Sequence, residues 1–201
     1  MILLAAFIYS AQFLSQCGPA VAPSTTRAVI QVESGGNPLA IGDNSLRKAF
    51  APSSKGEAVS LAKRLIEQGH SVDLGLMQIN SMHLAAMSLS LEEVFDPCRN
   101  VKIGTAILSD FYRQQQTGDP AYTLFKALSA YNTGQAWKGA GYVNRILAAA
   151  GVDYRVLFVP VQGAEAVPDS AKKKGTKAKS SDSPFFFRNT TTALVPRGPF
   201  R

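Results

Sequence analysis

The stretch that most constrains this chain is Ala28-Val29-Ile30-Gln31-Val32-Glu33-Ser34-Gly35-Gly36-Asn37-Pro38. Pro23 and Ser24 offer a helix start, with Ser24 or Thr25 as the N-cap. Ala28, Val29 and Val32 recur at helical spacing, so one face is expected to be buried. Gly35 and Gly36 supply the stop. Glu33 therefore falls in the last turn of an apolar helix. The negative end of the helix dipole and apolar surroundings both disfavour a carboxylate there. A glutamate so placed keeps its proton towards neutral pH, which suits a general acid. The alternative is an ordinary surface carboxylate near a helix end.

The 201 residues suit one domain with a tail, and 46% hydrophobic residues allow a substantial core. The net charge of +7 is unevenly spread. Residues 160–201 hold eight basic and three acidic side chains, leaving a net of only +2 on residues 1–159. The globular part has neither a basic face with interleaved aromatics nor a nucleic-acid-binding motif, so no nucleic-acid partner is expected. Cys17 and Cys98 form no CxxC pair, and only His70 and His83 are available to join them. Neither a metal site nor a cofactor is therefore expected. In an exported protein the two cysteines are free to pair, closing a loop of about 80 residues. Otherwise they are buried thiols.

Ile2 to Leu14 is an apolar run of signal-peptide length, but no basic residue precedes Arg27, so as an export signal it is atypical. The other reading is a first helix packed through Leu3, Leu4, Phe7, Ile8 and Phe13. Leu14-Ser15-Gln16-Cys17 faintly resembles a lipoprotein cleavage box, and a lipidated Cys17 would be unable to pair with Cys98. Residues 1–16 thus form a signal-like or first-helix segment, 17–159 the domain and 160–201 a basic low-complexity tail. The tail carries Lys172-Lys173-Lys174, Lys177, Lys179 and Phe185-Phe186-Phe187, and buries too little apolar surface to order itself.

Within the domain, Gly42 to Ser54 reads as a loop. Ser54 and Glu57 form a capping-box pattern ahead of an apolar face through Ala58, Leu61, Ala62, Leu65 and Ile66, which Gly69 closes. β structure is expected only within residues 70–80. Ser90 and Glu93 suggest a second capping box. Asp96-Pro97 and Asp119-Pro120 each start a helix. The first carries a stripe of Val101, Thr105, Leu108, Phe111 and Tyr112; the second leads to Tyr131-Asn132. A last helix runs through Tyr142, Val143, Ile146 and Leu147 to Gly151.

Three ordered motifs share this framework: Glu33-Ser34-Gly35-Gly36, Gly75-Leu76-Met77-Gln78-Ile79-Asn80 and Ala130-Tyr131-Asn132-Thr133-Gly134. Over roughly Cys17 to Gly151 the chain resembles the lysozyme-like lytic transglycosylases, and among them the VirB1-type enzymes of type IV secretion systems. The resemblance implies a mostly α, lysozyme-like α+β fold with a small β element. It implies periplasmic cleavage of the MurNAc–GlcNAc bond of peptidoglycan, with glycan strands and type IV secretion components as partners. Glu33 is then the catalytic acid. Ser34, Gly75, Met77, Gln78, Tyr131 and Asn132 are substrate-binding candidates, with Tyr131 also placed to orient Glu33 through its hydroxyl. Four of them have a plainer reading as well: capping for Ser34, core for Met77, a helix ending for Tyr131-Asn132. Most glycosidases use two carboxylates. Asp73 is the second candidate here, or else a hydrogen-bonded turn residue. Trp137 is a sugar-stacking candidate or, preferably, a buried core residue.

Overall fold

A computed structural model describes residues 10–158. Among these are eight helices and a four-stranded sheet. Helices α1 (Ala11–Cys17) and α2 (Pro23–Ser34) precede strands β1 (Ile41–Asp43) and β2 (Lys48–Phe50). Helix α3 (Lys55–Glu67) leads to β3 (Val72–Leu74) and β4 (Ile79–Asn80). Two short helices, α4 (Met82–Ala86) and α5 (Leu91–Val94), precede α6 (Pro97–Gln114), α7 (Pro120–Thr133) and α8 (Ala140–Ala149). The sheet is antiparallel throughout, in the order β2-β1-β3-β4. The mostly α architecture with a small β element agrees with the sequence reading.

The helix boundaries follow local chemistry. Asp96 and Asp119 cap α6 and α7 through their carboxylates, with Pro97 and Pro120 in the first turn. Ser90 and Glu93 close a complete capping box. At α3 Ser54 caps as expected, but Glu57 reaches Ser53 rather than Ser54. Helix α2 corrects its expected start. Ala22, not Ser24 or Thr25, is the N-cap, and the helix begins at Pro23. Proline's fixed φ and missing N–H suit the first helical position without a side-chain cap.

The β1–β2 hairpin corrects the reading of residues 42–54 as loop. Strands of three residues are too short to display an alternating pattern. Asp43 builds the turn: Oδ1 accepts from the amides of Ser45 and Leu46, both at 2.9 Å, and Oδ2 lies 2.8 Å from His70 Nδ1. Asp43 is buried. Burial alone would raise its pKa, but the hydrogen bonds from Leu46, His70 and Ser45 hold it below the usual aspartate value.

Leu14, Val29, Ile30, Leu108, Leu128 and Ile146 are among the fully buried core side chains contributed by five helices. In α6 the expected stripe is buried at Val101, Thr105, Leu108 and Tyr112, with Phe111 packed on its margin. No described helix is long and apolar enough to cross a membrane.

Cys17 at the end of α1 is bonded to Cys98 in the first turn of α6, with Cα atoms 5.0 Å apart. The bond uses the thiol that a lipoprotein box would modify. Phe13 and Leu14 are buried in α1. Leu3, Leu4, Phe7, Ile8 and the 160–201 tail lie outside the described residues. The bond closes a long loop, with 81 positions separating its ends. Its reduction is expected to lower stability by roughly 2–4 kcal/mol, measurable as a fall in the urea midpoint when reductant is added. An unchanged midpoint would contradict the assignment.

Candidate active site

Gly35, with φ 60°, ends α2 in the left-handed conformation, and its amide bonds back to the Gln31 carbonyl. Glu33 thus stands in the last turn before the helix terminus, half-buried. Tyr142, from the first turn of α8, donates its hydroxyl to Glu33 Oε1 at 2.6 Å. Burial raises the Glu33 pKa from 4.5 to about 7. The Tyr142 hydrogen bond pulls it down, the negative charge of Asp73 pushes it up, and Arg145 pulls it down. Burial and the neighbouring Glu33 charge drive the Tyr142 phenol well above 10, so it stays a donor across the physiological range.

The second motif forms the β3–β4 turn and is tied to the other two through its backbone. Ser34 Oγ donates to the Leu76 carbonyl at 2.8 Å and also contacts the Ile30 carbonyl at 3.2 Å. Tyr131 donates its hydroxyl to the Met77 carbonyl at 2.7 Å. The three motifs therefore meet at one place: α2 and α7 each hold one carbonyl of the same turn.

That arrangement revises several expectations. Tyr131 does not orient Glu33 through its hydroxyl; Tyr142 occupies that role, and Tyr131 is spent on Met77. The Met77 side chain is fully buried, and any Cβ at Gly104 of α6 would meet its Sδ at 2.6 Å. Gly75 answers an internal demand of the fold. Its φ is +76°, and a Cβ there would come within 2.4 Å of Asn100 Nδ2. Gln78, itself at φ 49°, folds its amide onto its own turn, donating to the carbonyls of Gly75 at 2.8 Å and Ala40 at 3.3 Å. Ser34 is engaged within the protein. Asn132 is exposed in the last turn of α7.

Asp73 sits on β3 opposite Gly42 and Asn80. Both of its carboxylate oxygens accept amide donors, from Asn44 at 2.8 Å and Asn80 at 2.7 Å. This is the hydrogen-bonded aspartate of the plainer reading, with its charge still felt by Glu33. Trp137, expected in the core, is 63% exposed.

Two residues escape the motif reading. Tyr142 looks like one more apolar position of α8; its hydroxyl is polar signal that periodicity discards. Asn100 is fully buried at the start of α6. It donates Nδ2 to the carbonyls of Leu74 and Val94, at 2.9 and 2.8 Å, and accepts from the Met77 amide at 2.8 Å. A polar residue next to Val101, beside an apolar stripe, is the available clue.

Residues 12–144 match the transglycosylase SLT domain. The chain is similar to the type IV secretion system protein virB1 of Brucella abortus, with 36% identity over 166 residues, covering 78% of this chain and 69% of that one. It is 36% identical over 141 residues to protein virB1 of Agrobacterium fabrum, covering 69% and 58% of the two chains. It is 37% identical over 91 residues to the invasion protein IagB of Salmonella typhimurium, covering 43% and 53%. No solved structure matches the chain significantly. A domain match across residues 12–144, with VirB1 relatives 36% identical over the aligned stretch, places this chain in the transglycosylase SLT domain family as a VirB1-type member.

Proposed function

We propose that the protein is a periplasmic lytic transglycosylase that cleaves the MurNAc–GlcNAc bond of peptidoglycan without water, opening the wall locally for a type IV secretion or conjugation apparatus. The observation that carries this reading is the Glu33 carboxyl, held by Tyr142 and raised to about 7 at the junction of the three motifs. Tyr142 occupies Oε1, so the acid proton resides on Oε2. Glu33 gives that proton to the bridging oxygen as the C1–O bond breaks, and the N-acetyl carbonyl oxygen of the sugar covers C1. The Glu33 carboxylate then takes the proton from the 6-hydroxyl, whose oxygen attacks C1, breaks the bond from C1 to the acetyl oxygen and closes the anhydro ring. Glu33 ends protonated, ready for the next bond. Substrate assistance of this kind removes the need for a protein nucleophile, and Asp73, with both oxygens occupied by amides, is poorly placed to be one.

The domain match and the VirB1 relatives support the wall as substrate and a secretion apparatus as partner. The Cys17–Cys98 bond supports an oxidising compartment. Mass spectrometry of products from purified sacculi tests the reaction. Anhydro-muropeptides, one water lighter than reducing ends, are expected; reducing ends would instead make the enzyme a lysozyme-like hydrolase. Wild-type protein that binds sacculi without turnover would make it a wall-binding assembly factor.

Tyr142→Phe keeps the ring but removes a hydrogen bond that lowers the Glu33 pKa. The alkaline limb of its kcat/KM profile is expected to move upward from about 7 by on the order of one unit. An unmoved limb would show that Tyr142 does not tune the acid.

A further inference from the structure

Trp137 lies in the loop between α7 and α8, and that loop is built rather than slack. Ser129 Oγ donates to the Gln135 carbonyl at 2.6 Å and accepts from the Gly139 amide at 2.9 Å. Thr133 Oγ1 donates to the same Gln135 carbonyl and accepts from the Gln135 amide. Ala136 is buried, and Gly139 sits so close that a Cβ would meet the Ser129 Cα at 2.9 Å. Both feet of the loop are therefore pinned, while Trp137 and Lys138 at its crest are exposed. A large apolar ring held in water by a rigid frame forgoes burial, and the fold alone gives no reason for it.

The loop joins the two helices that carry the tyrosines of the site. Asn132 precedes it and Tyr142 follows it by a few residues. Five residues span at most about 18 Å, so Trp137 cannot stand far from the Tyr142 that holds Glu33. Its sequence neighbours are Thr133, Gly134, Gln135, Lys138 and Gly139, polar or small throughout. A protein-docking patch would cluster several apolar side chains. A single indole among hydrogen-bonding groups matches the amphipathic face of a pyranose ring instead.

From this we infer that Trp137 is a stacking platform for an amino-sugar residue of the glycan strand, at a position beyond the bond cleaved at Glu33. The inference deepens the proposed function and rests on it. Trp137 is the sole tryptophan of the chain, so its emission reports the site directly. Glu33→Gln protein titrated with soluble, peptide-free glycan strands should show a saturable blue shift of that emission. Trp137→Ala should raise KM for sacculi about tenfold, the loss of one aromatic contact, with kcat held within about twofold and Trp137→Phe in between. Tyr122→Ala, which removes an exposed aromatic from the far end of α7, should leave KM unchanged. An unshifted spectrum, or an unchanged KM in Trp137→Ala, overturns the platform. If wild-type protein still yields anhydro-muropeptides, the platform alone falls; if it yields no turnover, the function falls with it.

Discussion

Glu33→Gln is expected to lose at least about a thousandfold in turnover of sacculi, because one side chain serves as both acid and base. Its ability to bind glycan strands should survive. The introduced carboxamide is nearly isosteric with the protonated glutamic acid, and its oxygen can still accept the Tyr142 hydroxyl. A variant retaining a tenth of wild-type turnover would remove Glu33 from the chemistry. The wild-type rate should fall as pH rises through about 7, the value to which burial raises Glu33, since the acid form is the active one.

The same substitution carries a second expectation with the opposite sign. The folded-state pKa of Glu33 lies above its unfolded value of 4.5. Below that unfolded value both states hold the proton and the site costs nothing. Between 4.5 and about 7 the folded protein holds a proton that the unfolded chain has released, so stability falls as pH rises. Above the folded value the whole penalty is in force. At 1.36 kcal/mol per unit and discounted for partial exposure, that penalty is roughly 2–3 kcal/mol. Glu33→Gln should therefore be more stable than wild type by about that amount at pH 8–9 and indistinguishable from it at pH 4. Urea denaturation at the two pH values checks this. Equal stability at both would mean that Glu33 is not held in an unfavourable environment and is not an acid poised near neutrality. A rate-conferring residue that destabilises its own fold is the expected form of a stability–activity trade-off.

How far the site is legible in the sequence depends on which interactions carry it. Glu33 can be found because its position follows from local rules: an apolar helical stripe, then Gly35 in the left-handed region. Asp96-Pro97 and Asp119-Pro120 announce α6 and α7 for the same reason. The β1–β2 hairpin is invisible because its strands are too short to show an alternating pattern, and β1 is also held by long-range partners: β3 in the sheet and His70 on Asp43, 27 positions away. The Tyr142–Glu33 bond spans 109 positions, and nothing local to either residue specifies it. The expectation of a buried Trp137 fails because average burial favours the core for an indole, whereas this one is kept out by the pinned loop around Ser129. The motifs therefore locate the site, while its internal wiring lies in long-range hydrogen bonds to which periodicity is blind.

Asn100→Ala should be the most destabilising single substitution near the site. The side chain satisfies the Leu74 and Val94 carbonyls and the Met77 amide, all within a fully buried setting. Alanine removes all three hydrogen bonds and leaves a cavity at the start of α6. Each lost bond costs about 1 kcal/mol, and with the cavity the total is roughly 3–5 kcal/mol. In a domain of this size that corresponds to a fall in Tm of order 10 °C. Asn100→Asp keeps the acceptor for Met77 but loses both donors and introduces a buried charge, so it should be no better. Gly75→Ala alone is also expected to destabilise, since its Cβ would lie 2.4 Å from Asn100 Nδ2 at φ +76°. In the Asn100→Ala background that clash disappears, leaving the backbone strain and a 3.2 Å contact with the Val94 carbonyl oxygen. The two lesions should therefore be less than additive, with a coupling of about 1 kcal/mol or more. Full additivity would show that Asn100 and Gly75 do not share one contact. Because the Leu76 and Met77 carbonyls bind Ser34 and Tyr131, loosening this turn should also reduce turnover at temperatures where the variant remains folded. That result would make Asn100 a positioning residue, one that holds the turn to which Ser34 of α2 is bonded.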